Sequence, residues 1–192
     1  MKPISYFILF MFLITGCART YHVINSSILH HENKKTLKKD VDISYLYNVQ
    51  NLMQNKPYER KENKKNIHLL SVRIENNSSS PITITKENFQ IKTSSGKEIK
   101  IIDPLLYSKT IRQYSETFLL FYGLSGIGYE WGTVNGESYS KLTYSPLNLI
   151  IGIGNTIFAE NSNAKQKKNL IENDIFNKTI HPHSSITGLI AV

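Results

Sequence analysis

Residues 67–75 read IHLLSVRIE and carry the clearest strand pattern in the chain. Successive side chains of a strand point to opposite faces, so His68, Leu70, Val72 and Ile74 are predicted to share one face. The strand runs into residues 76–81, NNSSSP, whose residue types all favour turns. The pattern therefore predicts a half-buried strand that ends in a turn.

Further strand signals follow on both sides of a long interval. Residues 82–85, ITIT, predict a short strand, and residues 89–93 and 98–102 predict the two arms of a hairpin. Residues 94–97 close that hairpin, and Gly96 can adopt the positive φ that such a turn needs. Residues 186–192 are apolar enough for a buried final strand. The 11 tyrosines and 8 phenylalanines also favour strands.

Three stretches together resemble a known fold: VRIENNSSSPITIT at 72–85, NFQIKTSSGKEIKI at 88–101 and NKTIHPHSSITGLIAV at 177–192. They look like the immunoglobulin-like β-sandwich domains of bacterial secreted proteins and lipoproteins of unassigned function. The resemblance implies a mainly β, antiparallel sandwich and says little about activity, because this fold hosts many roles. His183 stands where such domains often have glycine after proline, which puts the type of that turn in doubt.

An apolar, glycine-containing insertion, residues 105–161, separates the two parts of the predicted sandwich. Its two apolar runs, 118–132 and 147–159, are each too short to cross a bilayer as a helix. They are predicted either to pack as a second layer, as helices or strands, or to expose a surface for a protein partner or the membrane interface. Residues 161–174 predict a short amphipathic helix, and residues 42–54 favour a strand over a helix.

The chain begins with Lys2 and an uncharged run at 4–14, which is typical of a signal-peptide core. The next residues, Ile14-Thr15-Gly16-Cys17, resemble the lipobox of bacterial lipoproteins. That resemblance implies removal of residues 1–16 as a signal peptide and attachment of a diacylglyceryl group to Cys17, the only cysteine. By the same resemblance, Ala18 after the cysteine favours the outer membrane over the inner membrane of the cell envelope.

Residues 17–41 mix Ser, Asn, His and Lys without a sustained period and predict a flexible basic tether. Residues 42–192 are then the immunoglobulin-like domain with its insertion.

The formal net charge is +8, and lysines cluster at 34–39, 60–65 and 165–168. These clusters either keep the surface soluble or attract anionic lipid or glycan. Nucleic acid is not an expected partner of a lipid-anchored envelope protein.

Aromatic side chains of the insertion are the predicted partner-binding residues, because such side chains dominate interface energies. They are Phe118, Phe121, Tyr122, Tyr129 and Trp131.

Catalytic patterns are weak. His181 and His183 could supply two zinc ligands, but two ligands do not make a site. Ser184 and Ser185 adjoin His183 without an evident orienting acid. The sequence thus predicts no enzyme, no cofactor and no small-molecule substrate.

The expected function is that of a membrane-anchored, non-catalytic protein-binding or assembly subunit with an envelope protein as partner. The alternative is a surface lipoprotein that binds anionic glycan or lipid through its basic face.

Overall fold

The computed structural model describes residues 17–31 and 40–192, together with the backbone of a strand at Asn33–Lys38. The predicted signal peptide, residues 1–16, lies outside the described residues. The described chain divides into two compact units. We call residues 17–20 and 113–162 the apolar unit, and residues 21–112 and 163–192 the sheet unit.

A four-stranded antiparallel sheet forms the centre of the sheet unit. In spatial order its strands are β1 at Asn33–Lys38, β2 at Val41–Leu46, β3 at Leu69–Asn76 and β10 at Ser184–Ala191. On β3, Ile74 lies opposite Ile43 of β2 and Ile186 of β10. The predicted strand at 67–75 and the predicted final strand are confirmed.

Two smaller antiparallel pairs complete the strands of this unit. β4 at Ile82–Ile84 pairs with β9 at Lys178–Ile180, and β5 at Ile91–Lys92 pairs with β6 at Glu98–Ile99. Gly96 takes a φ of 84° and donates its N–H to the Thr93 carbonyl at 2.9 Å. The predicted hairpin and the role of its glycine are confirmed.

Both faces of the four-stranded sheet are covered. On one face Leu70, Val72 and Ile74 pack with Ile84 and Ile180 of the β4–β9 pair. On the other face Leu69, Leu189 and Ala191 pack with helical side chains. Both faces of β3 therefore carry buried side chains.

The helices are α1 at Val49–Leu52, α2 at Lys56–Lys65, α3 at Pro104–Ile111, α4 at Ser115–Ser125 and α5 at Pro146–Glu172. The fold is accordingly mixed, with antiparallel sheets and more helix than the sequence predicted. Residues 42–54 show the difference: β2 ends at Leu46, Asn48 takes a φ of 58°, and α1 follows.

Residues 17–41 differ from the predicted flexible tether. Tyr21 and Ile24 are buried in the core between the sheet and the helices, and residues 33–38 form strand β1. The side chain of Asn169 pairs with both backbone groups of Ile24, as a neighbouring strand would. Its Oδ1 accepts the Ile24 N–H at 2.9 Å, and its amide donates to the Ile24 carbonyl at 2.9 Å. The sheet unit thus starts four residues after Cys17.

The apolar unit contains α4, a hairpin of β7 at Ile127–Val134 and β8 at Glu137–Tyr144, and the first part of α5. Asn135 and Gly136 close the hairpin with φ values of 53° and 86°, as a tight two-residue turn requires. The insertion is thus helical at both ends and stranded in its middle. The helix predicted at 161–174 is the end of the 27-residue α5. Over the described part of the chain, none of the helices combines the length and apolar character needed to span a bilayer.

Candidate functional site

One face of the β7–β8 hairpin is a continuous apolar surface. Ile127 lies opposite Tyr144, Tyr129 opposite Leu142, and Trp131 opposite Ser140, so these cross-strand pairs share a face. We call the apolar members of this set the aromatic face: Ile127, Tyr129, Trp131, Leu142 and Tyr144. Their exposure ranges from 50% for Ile127 to 80% for Trp131. Large side chains are rarely left this open in a folded protein without a binding role.

The opposite face of the hairpin carries the charged side chains Glu130 and Lys141, together with Tyr139 and Val134. Glu130 lies opposite Lys141, and the Tyr139 hydroxyl lies 3.4 Å from the Glu130 carboxylate. The Tyr139 ring covers Gly132, where an added Cβ would come within 2.7 Å of it. Since side chains alternate along a strand, this packing fixes which residues form the aromatic face.

Two helices add apolar surface to the same unit. Leu120, Phe121 and Leu124 are exposed on α4, while Ile150 and Ile157 are exposed on α5. The two helices approach closely at Gly152, where an added Cβ would lie 2.9 Å from the Tyr122 Cβ and 3.3 Å from the Phe118 carbonyl. Glycine is needed at this contact, so the helices are held in one arrangement.

The five predicted partner-binding residues divide into two groups. Tyr129, Trp131 and Phe121 are exposed, as a contact residue must be. Tyr122 is only 1% exposed and packs against α5, so its side chain is not at the surface, and its partner contact stays a prediction. Phe118 is half-buried beside the same contact.

Sequence reasoning missed three of the five residues of the aromatic face. Ile127, Leu142 and Tyr144 are not among the predicted contacts, and Leu142 and Tyr144 lie between the two apolar runs on which the prediction rested. The Asn135-Gly136 pair is a strong hairpin signal, and it would have placed Leu142 and Tyr144 across from Tyr129 and Ile127.

Cys17, the predicted lipidation residue, is exposed and lies in the apolar unit. The chain that follows it is held in place: the Ala18 N–H donates to Asn155 Oδ1 at 2.9 Å, and Arg19 exchanges two hydrogen bonds with the Gln113 side chain. Burial, and then the nearby Cys17 thiol, raise the pKa of the Tyr122 hydroxyl. The residues that follow Cys17 are therefore held against α5 and the start of α4 by hydrogen bonds.

A buried polar cluster in the sheet unit centres on Glu62, which is 2% exposed. Its carboxylate accepts the Leu69 N–H at 2.7 Å and the Tyr107 hydroxyl. Burial raises the pKa of Glu62 to about 7, although both hydrogen bonds oppose the increase. Gln50 donates to the Tyr107 hydroxyl at 3.2 Å. These buried side chains connect α2 to β3 and α3.

The histidines considered as ligands or catalytic bases lie at separate places in the sheet unit. His181 and His183 are exposed, and Ser184 donates its hydroxyl to the His181 carbonyl at 2.7 Å. His31 Nε2 and Ser71 Oγ are 2.9 Å apart, but Ser71 has no exposed surface and cannot attack a substrate. Among the residues that the structure describes, no group of three or more His, Cys, Asp or Glu side chains could hold a metal ion.

Comparisons with protein-family models, with curated proteins and with solved structures found no significant match to this chain.

Proposed function

We propose that this chain is a lipid-anchored protein of the bacterial cell envelope and acts as a non-catalytic protein-binding or assembly subunit. Cys17 carries the lipid, and the aromatic face holds an envelope protein partner. The observation that carries the proposal is the exposure of five adjoining apolar side chains on one face of a formed hairpin.

The size of the aromatic face supports a stable contact. With a side-chain area of roughly 200 Å² each and the observed exposures, its five residues offer on the order of 600 Å². A standard interface takes about 800 Å² from each partner, so α4 residues such as Phe121 need to add only a small part. At about 25 cal/mol per Å², this area contributes about 15 kcal/mol before association costs of about 4–15 kcal/mol. Because β7 and β8 are already paired, binding does not have to order their backbone, and the entropic cost of association is low.

The anchor rests on the resemblance of Ile14-Thr15-Gly16-Cys17 to a lipobox and on the exposure of Cys17. An acyl chain there confines the protein to a membrane and raises its effective concentration near membrane-bound partners. We favour the outer membrane where the cell has one, because Ala18 follows the cysteine.

We further infer that the sheet unit is an immunoglobulin-like sandwich with an added helical layer. The four-stranded sheet packs its Leu70, Val72 and Ile74 face on the β4–β9 pair, as two sandwich layers would. Tyr58, Tyr107 and Leu170 form the helical layer on the other face.

A photo-crosslinking side chain placed at Trp131 tests the proposed contact, with the same group at Lys141 as a matched control on the opposite face of the hairpin. In the native host, position 131 is expected to give a crosslink to one envelope protein, and position 141 is expected to give none. Adducts to lipid alone at position 131 would instead assign the aromatic face to the membrane. Equal crosslinking at both positions would refute a specific contact.

Trp131→Ala provides an independent check. Because the side chain is 80% exposed, the substitution is expected to leave thermal unfolding nearly unchanged while the crosslinked protein no longer co-purifies. A large loss of thermal stability would show that Trp131 is a packing residue.

A further inference from the structure

Positive charge is concentrated in the sheet unit. Of the 23 lysines and arginines in the sequence, only Arg19 and Lys141 lie within residues 17–20 and 113–162. The lysines and arginines of the described chain therefore lie mainly in the sheet unit.

Much of this charge lies on the outer side of the helical layer. On α2, Lys56, Arg60 and Lys64 follow one another at intervals of four residues and are exposed, whereas Tyr58 and Glu62 are buried. Exposed Lys109 on α3 and Lys165 and Lys168 on α5 belong to the same layer. We call these six exposed side chains the basic helix face.

The helices that carry this face are fastened to one another on their inner sides. The Tyr58 hydroxyl donates to Asn163 at 3.1 Å, and the Ser108 hydroxyl donates to Gln166 at 3.0 Å. Lys61 donates to the Arg112 carbonyl, which joins α2 to the end of α3. Because the buried residues Tyr58, Tyr107 and Leu170 of these helices share one core with the sheet, the exposed basic side chains lie on the sides that face away from that core.

Few acidic groups offset the basic helix face. Glu59 is half-buried and accepts the Asn51 amide, and Glu62 is buried. Glu172 is exposed and lies 3.7 Å from Lys168. The surface therefore keeps a clear excess of positive charge.

Apolar side chains stand among these cations. Leu105 and Leu106 are exposed in the first turn of α3, and Ile171 is exposed near the end of α5. Lysine and arginine mixed with exposed leucine and isoleucine are typical of helices that lie on an anionic membrane surface.

The position of Tyr21 limits the distance to the proposed anchor. Tyr21 donates its hydroxyl to Asn169 at 2.9 Å, and its ring packs edge-on against Tyr58 at a centroid distance of 5.2 Å. Only three residues lie between it and Cys17, and the four Cα–Cα steps from Cys17 to Tyr21 span at most about 14 Å. A lipid on Cys17 therefore keeps the helical layer near the bilayer.

We propose that the basic helix face rests on the anionic lipid headgroups of the leaflet that holds Cys17. This inference depends on the proposed acylation of Cys17 and uses a surface separate from the aromatic face. It orients the domain on the membrane through charge attraction, which is strong close to an anionic surface and falls off within about 8 Å at physiological salt.

The test uses acylated protein purified from membranes and reconstituted into vesicles of phosphatidylcholine, with or without phosphatidylglycerol. Acetylation rates of individual lysines are read by mass spectrometry. Lys56, Lys64 and Lys165 are expected to react roughly fivefold more slowly on the anionic vesicles, and high salt should remove the difference. Lys92 and Lys97, on the β5–β6 hairpin, are expected to react equally on both.

Two charge-matched variants sharpen the result. Lys56→Glu/Arg60→Glu/Lys64→Glu is expected to abolish the protection of Lys165, whereas Lys92→Glu/Lys97→Glu/Lys100→Glu is expected to retain it. Loss in both variants, or protection of all lysines alike, would overturn the proposal.

The remaining outcomes separate this inference from the proposed function. An acylated protein without protection on anionic vesicles overturns the docking of the basic helix face and leaves the anchor intact. Protection on peptidoglycan but not on lipid overturns it in favour of a glycan. An intact mass without acyl chains removes both proposals.

Discussion

Replacement of Glu62 by glutamine is expected to change how the stability of the sheet unit depends on pH. The carboxyl is buried, and its pKa in the folded protein is about 7, compared with 4.5 for the free side chain. A folded-state pKa above the unfolded value means that folding favours the protonated form. The stabilising contribution is complete below about pH 4.5 and is lost as the pH rises through 7.

The magnitude follows from the size of the shift. One pKa unit corresponds to about 1.4 kcal/mol, so the change from 4.5 to about 7 represents about 3 kcal/mol between acidic and alkaline conditions. Glu62→Gln has no charge to bury and can still accept the Leu69 N–H and the Tyr107 hydroxyl. Its free energy of unfolding is therefore expected to lose about 3 kcal/mol less than that of the wild type between pH 4 and pH 8.

Urea unfolding at a series of pH values measures this directly. Glu59→Gln, on the same helix, removes a nearby negative charge that raises the pKa of Glu62, so it should move the loss of stability to lower pH. Tyr107→Phe removes a hydrogen bond that lowers the pKa of Glu62, so it should move the loss of stability to higher pH. If Glu62→Gln and the wild type show the same pH dependence, the carboxyl is not buried as described.

Three further substitutions test packing and turns by thermal unfolding. Gly154→Ala is expected to stabilise α5 by about 1 kcal/mol, since nothing lies within 4 Å of the added methyl group. Gly152→Ala should destabilise the protein despite the same gain in helix propensity, because its methyl group would lie 2.9 Å from the Tyr122 Cβ. Equal effects of the two substitutions would disprove the close contact of α4 and α5. His183→Gly should raise stability by about 1 kcal/mol, because His183 holds a φ of 55° that glycine adopts without strain; a loss of stability would mean that the histidine side chain contributes more than the strain costs.

Local signals account for the elements that were predicted correctly. Strand β3 combines a period of two with a polar turn, and the β5–β6 hairpin has Gly96 where the turn needs positive φ. These features depend only on neighbouring residues, so the sequence is enough to find them.

Elements that depend on distant contacts were missed. Helix α2 has no apolar stripe, because its buried side chains are Tyr58 and Glu62. The sequence alone does not distinguish a buried glutamate from one exposed to solvent. Tyr21 and Ile24 lie in a polar segment and are held by Asn169, which is far away in the chain.

The candidate site shows the same limit. Phe121 and Tyr122 are neighbours of similar chemistry, yet only Tyr122 is buried, because Gly152 of α5 leaves room for it. The alternation of Tyr129 and Trp131 was visible in the sequence, and their cross-strand neighbours follow once the turn at Asn135-Gly136 is recognised, whereas the exposure of this face required the structure.

The intact mass of the protein extracted from membranes of its native host tests the proposed anchor most directly. The account predicts a chain that starts at Cys17 and carries acyl groups, and it predicts that Cys17→Ser abolishes both the processing and the added mass. An unmodified mass, or one that retains residues 1–16, would contradict the account.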